Sequence, residues 1–106
     1  MEINMAGEKR KPKKKTVKVG KSLDASMVDA LKEKLAKFVK EGIIDLILDM
    51  KGVETVDSMG LGLIIASQNS MSAVDGKLLL KNVSKNLSQL FKVMHLDMTF
   101  EIREAD

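Results

Sequence analysis

The sequence predicts an α/β fold: a small sandwich in which helices cross over between strands of a mixed, mostly parallel β-sheet. Three observations predict it. Bounded, β-branched or leucine-rich apolar runs, Ile43–Leu48 and Lys77–Lys81, alternate with longer segments of helical period. Strands that alternate with helices favour right-handed crossovers and parallel pairing. The chain has 106 residues, 44% of them apolar, which suits one domain around one core.

The elements follow in order. Glu2–Met5 alternates weakly and is expected to form a short strand. Glu8–Lys15 holds Pro12 and six Lys/Arg, so a hairpin loop or a basic arm is expected there, the first strand pair being antiparallel. Thr16–Val19 is β-branched and alternating, and Gly20 ends it. Met27, Leu31, Leu35 and Phe38 repeat at helical spacing, with Val28 and Val39 widening the stripe. Asp24 or Ser26 is the expected N-cap, Asp29 falls in the first turn, and Gly42 stands past the end. Ile43–Leu48 reads as a central strand buried on both faces, and Lys51–Asp57 as a connection. Met59–Val74 reads as a helix with its stripe on Leu61, Ile64, Ile65, Gln68 and Met71, stopped by Asp75-Gly76. Ser84 caps a third helix with a face of Leu87, Leu90, Phe91 and Met94, and Met98–Ile102 forms a last strand. No internal repeat is present.

Composition excludes several functions. The chain has no Cys, which removes disulfides and Cys-based zinc sites. The uncharged stretch Ser58–Val74 contains Ser67, Gln68, Asn69, Ser70 and Ser72, so it is not a membrane span. No apolar segment follows the basic N-terminal run in signal-peptide order, and a cytoplasmic location is expected. Residues 1–18 carry seven Lys/Arg against two Glu, whereas the remainder carries 11 against 13 acids. The basic excess belongs to one segment, and the chain has three Phe but no Tyr or Trp. A nucleic-acid partner is therefore not expected.

Enzyme chemistry is also sparse. His95 is the only histidine and follows an apolar helical pattern, where packing or capping is its expected role. Gly60-Leu61-Gly62 lacks the third glycine of a dinucleotide site, and no P-loop lysine follows. Asp45 and Asp49 stand far apart on a strand and receive no catalytic role. No metal, cofactor or catalysis is expected.

One local sequence carries a sharper signal. Asp57 and Ser58 fall where an apolar strand and its connection give way to a helix, so they sit at a helix N-terminus with unpaired amides. Either residue could be a plain N-cap. The same place tolerates a phosphate, because free amides and the helix dipole favour an anion. The run Asp57-Ser58-Met59-Gly60-Leu61-Gly62 resembles the Asp-Ser-x-Gly-Leu-Gly signature of anti-sigma factor antagonists of the STAS domain family. Val17–Gly20 with Leu23-Asp24, Gly76–Leu80 with Asn82–Ser84, and Phe91–Asp97 are similar to further parts of that pattern, over about residues 16–102.

The resemblance implies a STAS-type sandwich with helices packed on one face of the sheet, as a single domain over residues 1–106. It implies an anti-anti-sigma factor, a bacterial phosphoprotein of transcription regulation by partner switching. The unphosphorylated form would bind an anti-sigma factor that is also a serine protein kinase, and so free the sigma factor. Phosphorylation of Ser58 would switch it off, and a phosphatase of the PP2C type would reverse this. The implied partner surface comprises Asp24, Asp57, Ser58, Met59, Gly60, Leu61 and Leu63, on a monomer. The alternative is a STAS interaction module without phosphorylation, in another signalling or lipid-transport complex. The chain departs from the family pattern at Lys21-Ser22, at Met59 where a small residue is usual, and in the Lys9–Lys15 run.

Overall fold

The computed structural model describes residues 13–106. Four strands form the main sheet: β1 (Lys13–Lys18), β3 (Ile43–Asp49), β5 (Lys77–Val83) and β6 (Glu101–Glu104), in the order β1-β3-β5-β6. Every pairing among the described residues is parallel. Three helices make the crossovers: α1 (Ala25–Lys40), α2 (Ser58–Ala73) and α3 (Lys85–Val93). Two short strands, β2 (Ser22–Leu23) and β4 (Thr55–Val56), pair beside the main sheet. The antiparallel pair and the Glu2–Met5 strand expected from sequence lie outside the described residues.

Strand alternation divides the sheet into two faces. Leu46 and Leu48 on β3 and Leu78 and Leu80 on β5 are buried toward the helices. Asp45, Ile47, Asp49, Lys77, Leu79 and Lys81 point the other way and keep some exposure. Ile43–Leu48 is therefore not buried on both faces; the uncovered face explains Asp45 within the run and Asp49 just after it. The helices fill the inner face with Val28, Leu31 and Leu35 of α1, Leu63, Ile64 and Met71 of α2, and Leu87 and Phe91 of α3. Burying each such side chain stabilises the fold by roughly 1.5–3 kcal/mol.

Several sequence expectations need correction. Lys13, Lys14 and Lys15 belong to β1 rather than a loop, because β1 is the outer strand of four and leaves the lysine heads in solvent. Lys15 reaches over the Phe38 ring at 5.3 Å, a cation–π contact that also covers the ring. Asp29 lies beyond the first turn of α1. On α2, Ile65 is 39% exposed, and Ser67 takes the inward position, its hydroxyl donating to the Leu63 carbonyl at 2.8 Å. On α3 the buried face is Leu87, Ser88 and Phe91, and Leu90 and Met94 face solvent. Of the two roles expected for His95, packing and capping, it takes the second: exposed and left-handed at φ 62°, it ends α3 just past Met94. A short 3-10 turn, Leu96–Met98, then delays the last strand to Glu101–Glu104.

Parallel topology fixes which ends meet. The C-terminal ends of β1 and β3 lead to β2, β4 and the N-termini of α1 and α2. The N-terminal ends of β1, β3 and β5 share the opposite pole with the ends of α1 and α2. A groove of about 530 Å³, lined by Lys14, Asp45, Ile47, Lys77, Leu79 and Glu101 among others, includes neither Asp57 nor Ser58.

Candidate functional site

Two helix N-termini converge at one end of the sheet because the β2–β4 pair ties their lead-in segments together. Ser22 pairs with Thr55 and Leu23 with Val56, and the Asp57 amide donates to the Leu23 carbonyl at 3.2 Å. The Lys51–Asp57 segment thus contains a strand, too short to show any sequence period. The Lys21-Ser22 departure from the family pattern falls in this pairing, since the Glu54 amide also donates to the Lys21 carbonyl.

Asp57 is the N-cap of α2, with extended backbone at φ −92°. Its Oδ1 accepts from the Gly60 amide at 2.8 Å, and its Oδ2 accepts from the Ala25 amide at 3.2 Å. One carboxylate therefore serves the first turns of both α2 and α1. A cap is worth about 0.5–2 kcal/mol, so Asp57→Ala is expected to cost roughly 1–2 kcal/mol, read as a fall in thermal midpoint. Asp57→Asn keeps one acceptor oxygen and turns two donors toward the second amide. Its midpoint should fall between those of wild type and Asp57→Ala.

Asp24 caps α1 in a denser network. Its Oδ1 accepts from the Ser26 amide at 3.0 Å and from the Ser26 hydroxyl, and its Oδ2 accepts from the Ser22 hydroxyl at 2.9 Å. The Ser26 hydroxyl first, then the Ser22 hydroxyl and the Ser26 amide, hold its carboxyl below the usual carboxylate range against a small desolvation. Of the two N-caps the sequence offered, Asp24 and Ser26, Asp24 is the cap, and Ser26 together with Ser22 donates to it. Farther along the same end, Asp49 Oδ1 accepts from Asn82 Nδ2 at 2.9 Å and from the Lys51 amide at 3.0 Å. The Asn82 bond is the main reason its carboxyl is lowered.

Ser58 is the first residue of α2 and is exposed. Because Asp57 does the capping, the Ser58 hydroxyl is not consumed as a cap. The amides of Ser58 and Met59 lie in the first turn and lack helical acceptors. Met59 beside it is 54% exposed. Asp24, Asp57, Ser58 and Met59 thus form one polar and partly apolar surface at the paired helix ends.

Three other sequence-assigned contact residues stand differently. Leu63 is 4% exposed and packs in the core, so it offers no anchor to a partner. Gly60 is buried: a Cβ there would sit 2.1 Å from the Leu23 carbonyl oxygen. Leu61 is half-buried against the core. Helical rotation carries residues 60, 63 and 64 inward, which leaves Ser58, Met59 and Gly62 outward.

Comparison with known proteins agrees with this architecture. The STAS domain sequence profile matches residues 8–105. The anti-sigma-B factor antagonist of Staphylococcus aureus strain NCTC 8325 / PS 47 is 31% identical over 89 residues, covering 84% of this chain and 82% of that protein. The anti-sigma-B factor antagonist of Staphylococcus epidermidis is 32% identical over the same length and shares. Among solved structures, the phosphorylated Bacillus cell fate determinant SpoIIAA superposes with a TM-score of 0.71 at 19% identity, covering 88% of this chain and 85% of its own. A sulfate transporter family protein from Wolinella succinogenes superposes with a TM-score of 0.76 at 20% identity, covering 86% and 76%. At such identities the superpositions establish the fold. From the profile, the sequence relatives and the α/β architecture together, the chain belongs to the STAS domain family.

Proposed function

We propose that this protein is an anti-sigma factor antagonist switched by phosphorylation of Ser58. In the unphosphorylated state the Asp24–Asp57–Met59 end docks an anti-sigma factor that is also a serine kinase, and the sigma factor is released. The curated relatives, named as anti-sigma-B factor antagonists, support the class of activity. The observation that carries the switch is the exposed Ser58 hydroxyl, not used as a cap, beside a helix start that Asp57 caps.

In the switching step the Ser58 oxygen forms a bond to the γ-phosphorus of ATP. The bond from that phosphorus to the bridging oxygen breaks, ADP leaves, and the hydroxyl proton passes to a base supplied by the kinase. Water attack on the phosphoserine by a PP2C-type phosphatase returns the hydroxyl and inorganic phosphate. The modification adds roughly −1.5 to −2 charges. The helix accepts them, since an anion at its N-terminus is favoured by about 0.3–1 kcal/mol. The docking surface does not, because a phosphate brought into a desolvated contact beside the Asp57 and Asp24 carboxylates meets like charge and loses its hydration.

Incubation with the cognate kinase and ATP, followed by peptide mass mapping, tests this reading. Phosphate is expected on Ser58 alone. Phosphate on Ser70 or Ser72, exposed farther along α2, or none at all with binding intact, would favour a STAS interaction module without a switch.

A further inference from the structure

We infer that the end of the molecule opposite Ser58 is a peripheral docking surface for an anionic lipid bilayer. The inference does not rest on the Ser58 switch. Two independent features meet at that pole. The first is charge. Lys13, Lys14 and Lys15 open β1, Lys77 opens β5, and Lys37 and Lys40 lie in the last turn of α1, all exposed. The strand register places Lys14 and Lys77 on either side of Asp45. Lys13 is tied to the same pole by donating to the Glu41 carbonyl at 3.0 Å. Three acids, Glu41, Asp45 and Asp75, stand against these six lysines.

The second feature is apolar. Because α3 runs back along the sheet, its end, the 3-10 turn and the end of α2 reach the same pole. Val93 is 75% exposed and Met98 80%, the two most exposed large apolar side chains among the described residues. Met94 and Val74 add 39% each. Along the strand order β1-β3-β5-β6, Lys13, Lys14 and Lys15 stand at the β1 edge, whereas Val93, Met94 and Met98 precede β6 at the other edge, where Asp97 and Glu101 are the accompanying acids.

Lysines beside projecting apolar side chains match a bilayer interface. The ammonium groups meet lipid phosphates while Val93 and Met98 enter the headgroup boundary. A nucleic-acid surface fits less well. The six cations are point-charge lysines rather than forked guanidiniums, and the Phe38 ring lies under Lys15. No helix among the described residues is long and apolar enough to cross a membrane, so attachment is peripheral. The 16 residues of α2 hold Ser58 roughly 24 Å from this pole, facing away from the lipid.

The test is co-sedimentation with vesicles of phosphatidylcholine containing about one-third phosphatidylglycerol, against pure phosphatidylcholine, at about 0.1 M salt. Anionic vesicles should bind at least about 30-fold better, and high salt should remove the difference. Neutralising Lys14, Lys37, Lys40 and Lys77 together to Gln should lower binding on the order of 100-fold. Val93→Ser with Met98→Ser should lower it about tenfold. The matched Gln set at the Ser58 end, Lys21, Lys51, Lys81 and Lys85, should stay within about threefold of wild type. Circular dichroism checks the fold of each variant. Equal binding to both vesicles, or equal losses from the two lysine sets, overturns the inference. So does tighter binding to duplex DNA at the same salt, or a vesicle-free dimer that Met98→Ser abolishes without any vesicle binding in wild type.

Discussion

Ser58→Asp is expected to weaken binding to the anti-sigma kinase by roughly 30- to 1000-fold, a loss of about 2–4 kcal/mol. Ser58→Ala should bind as wild type does and resist inactivation by ATP. The asymmetry follows from the geometry. Asp57 already places one carboxylate at the start of α2, and Asp24 places another at the start of α1. A third carboxylate at Ser58, brought into a desolvated contact, meets like charge and loses its hydration. The fold itself should gain, because an acid in the first turn is favoured by about 0.3–1 kcal/mol and displaces no cap. Calorimetric titration of the kinase, paired with thermal unfolding of each variant, separates the effects. Affinity should drop while the midpoint holds or rises. If Ser58→Asp and Ser58→Ala bind equally, Ser58 is no switch, and a partner surface without phosphorylation takes its place.

The parts of the fold legible in the sequence were those with a long period. Met27–Leu31–Leu35 announced α1, and the strand cores at Leu46–Leu48 and Leu78–Leu80 stood out as apolar runs. The β2–β4 pair was not legible, because two residues cannot show a period. Yet that pair brings Asp24 to Asp57. On α2, which bears no charge from Ser58 to Ala73, periodicity could not separate inward from outward positions. Ile65 therefore reads as core, whereas Leu63 stands on the partner surface only through the family resemblance. Similarly, Leu90 and Met94 fit a helical stripe that the short α3 turns partly to solvent. Asp57 and Ser58 were legible as a pair at a helix start; which of them caps depended on a carboxylate reaching two amides 32 and 3 residues away.

The two glycines of the Gly-Leu-Gly run should respond in opposite directions to alanine. At Gly60 a Cβ would stand 2.1 Å from the Leu23 carbonyl oxygen and 2.8 Å from its carbon. These are backbone atoms of β2, fixed by pairing to β4, and Leu23 is fully buried, so no rotamer change relieves the clash. The start of α2 must move away, loosening the Asp57 bonds to both helices. Gly60→Ala should cost about 3 kcal/mol, the upper end of the overpacking range. For a domain of this size that lowers the thermal midpoint on the order of 15 °C. At Gly62 nothing beyond its chain neighbours and the helix's own backbone lies within 4 Å of the added Cβ, and the position is in the exposed interior of the helix. There the change only restores helix propensity, so Gly62→Ala should raise stability by about 0.8–1 kcal/mol. Thermal unfolding of the two variants decides the matter. Equal midpoints would show that α2 does not rest on the Leu23 backbone, and the closure of the two helix ends around Asp57 would then need another cause.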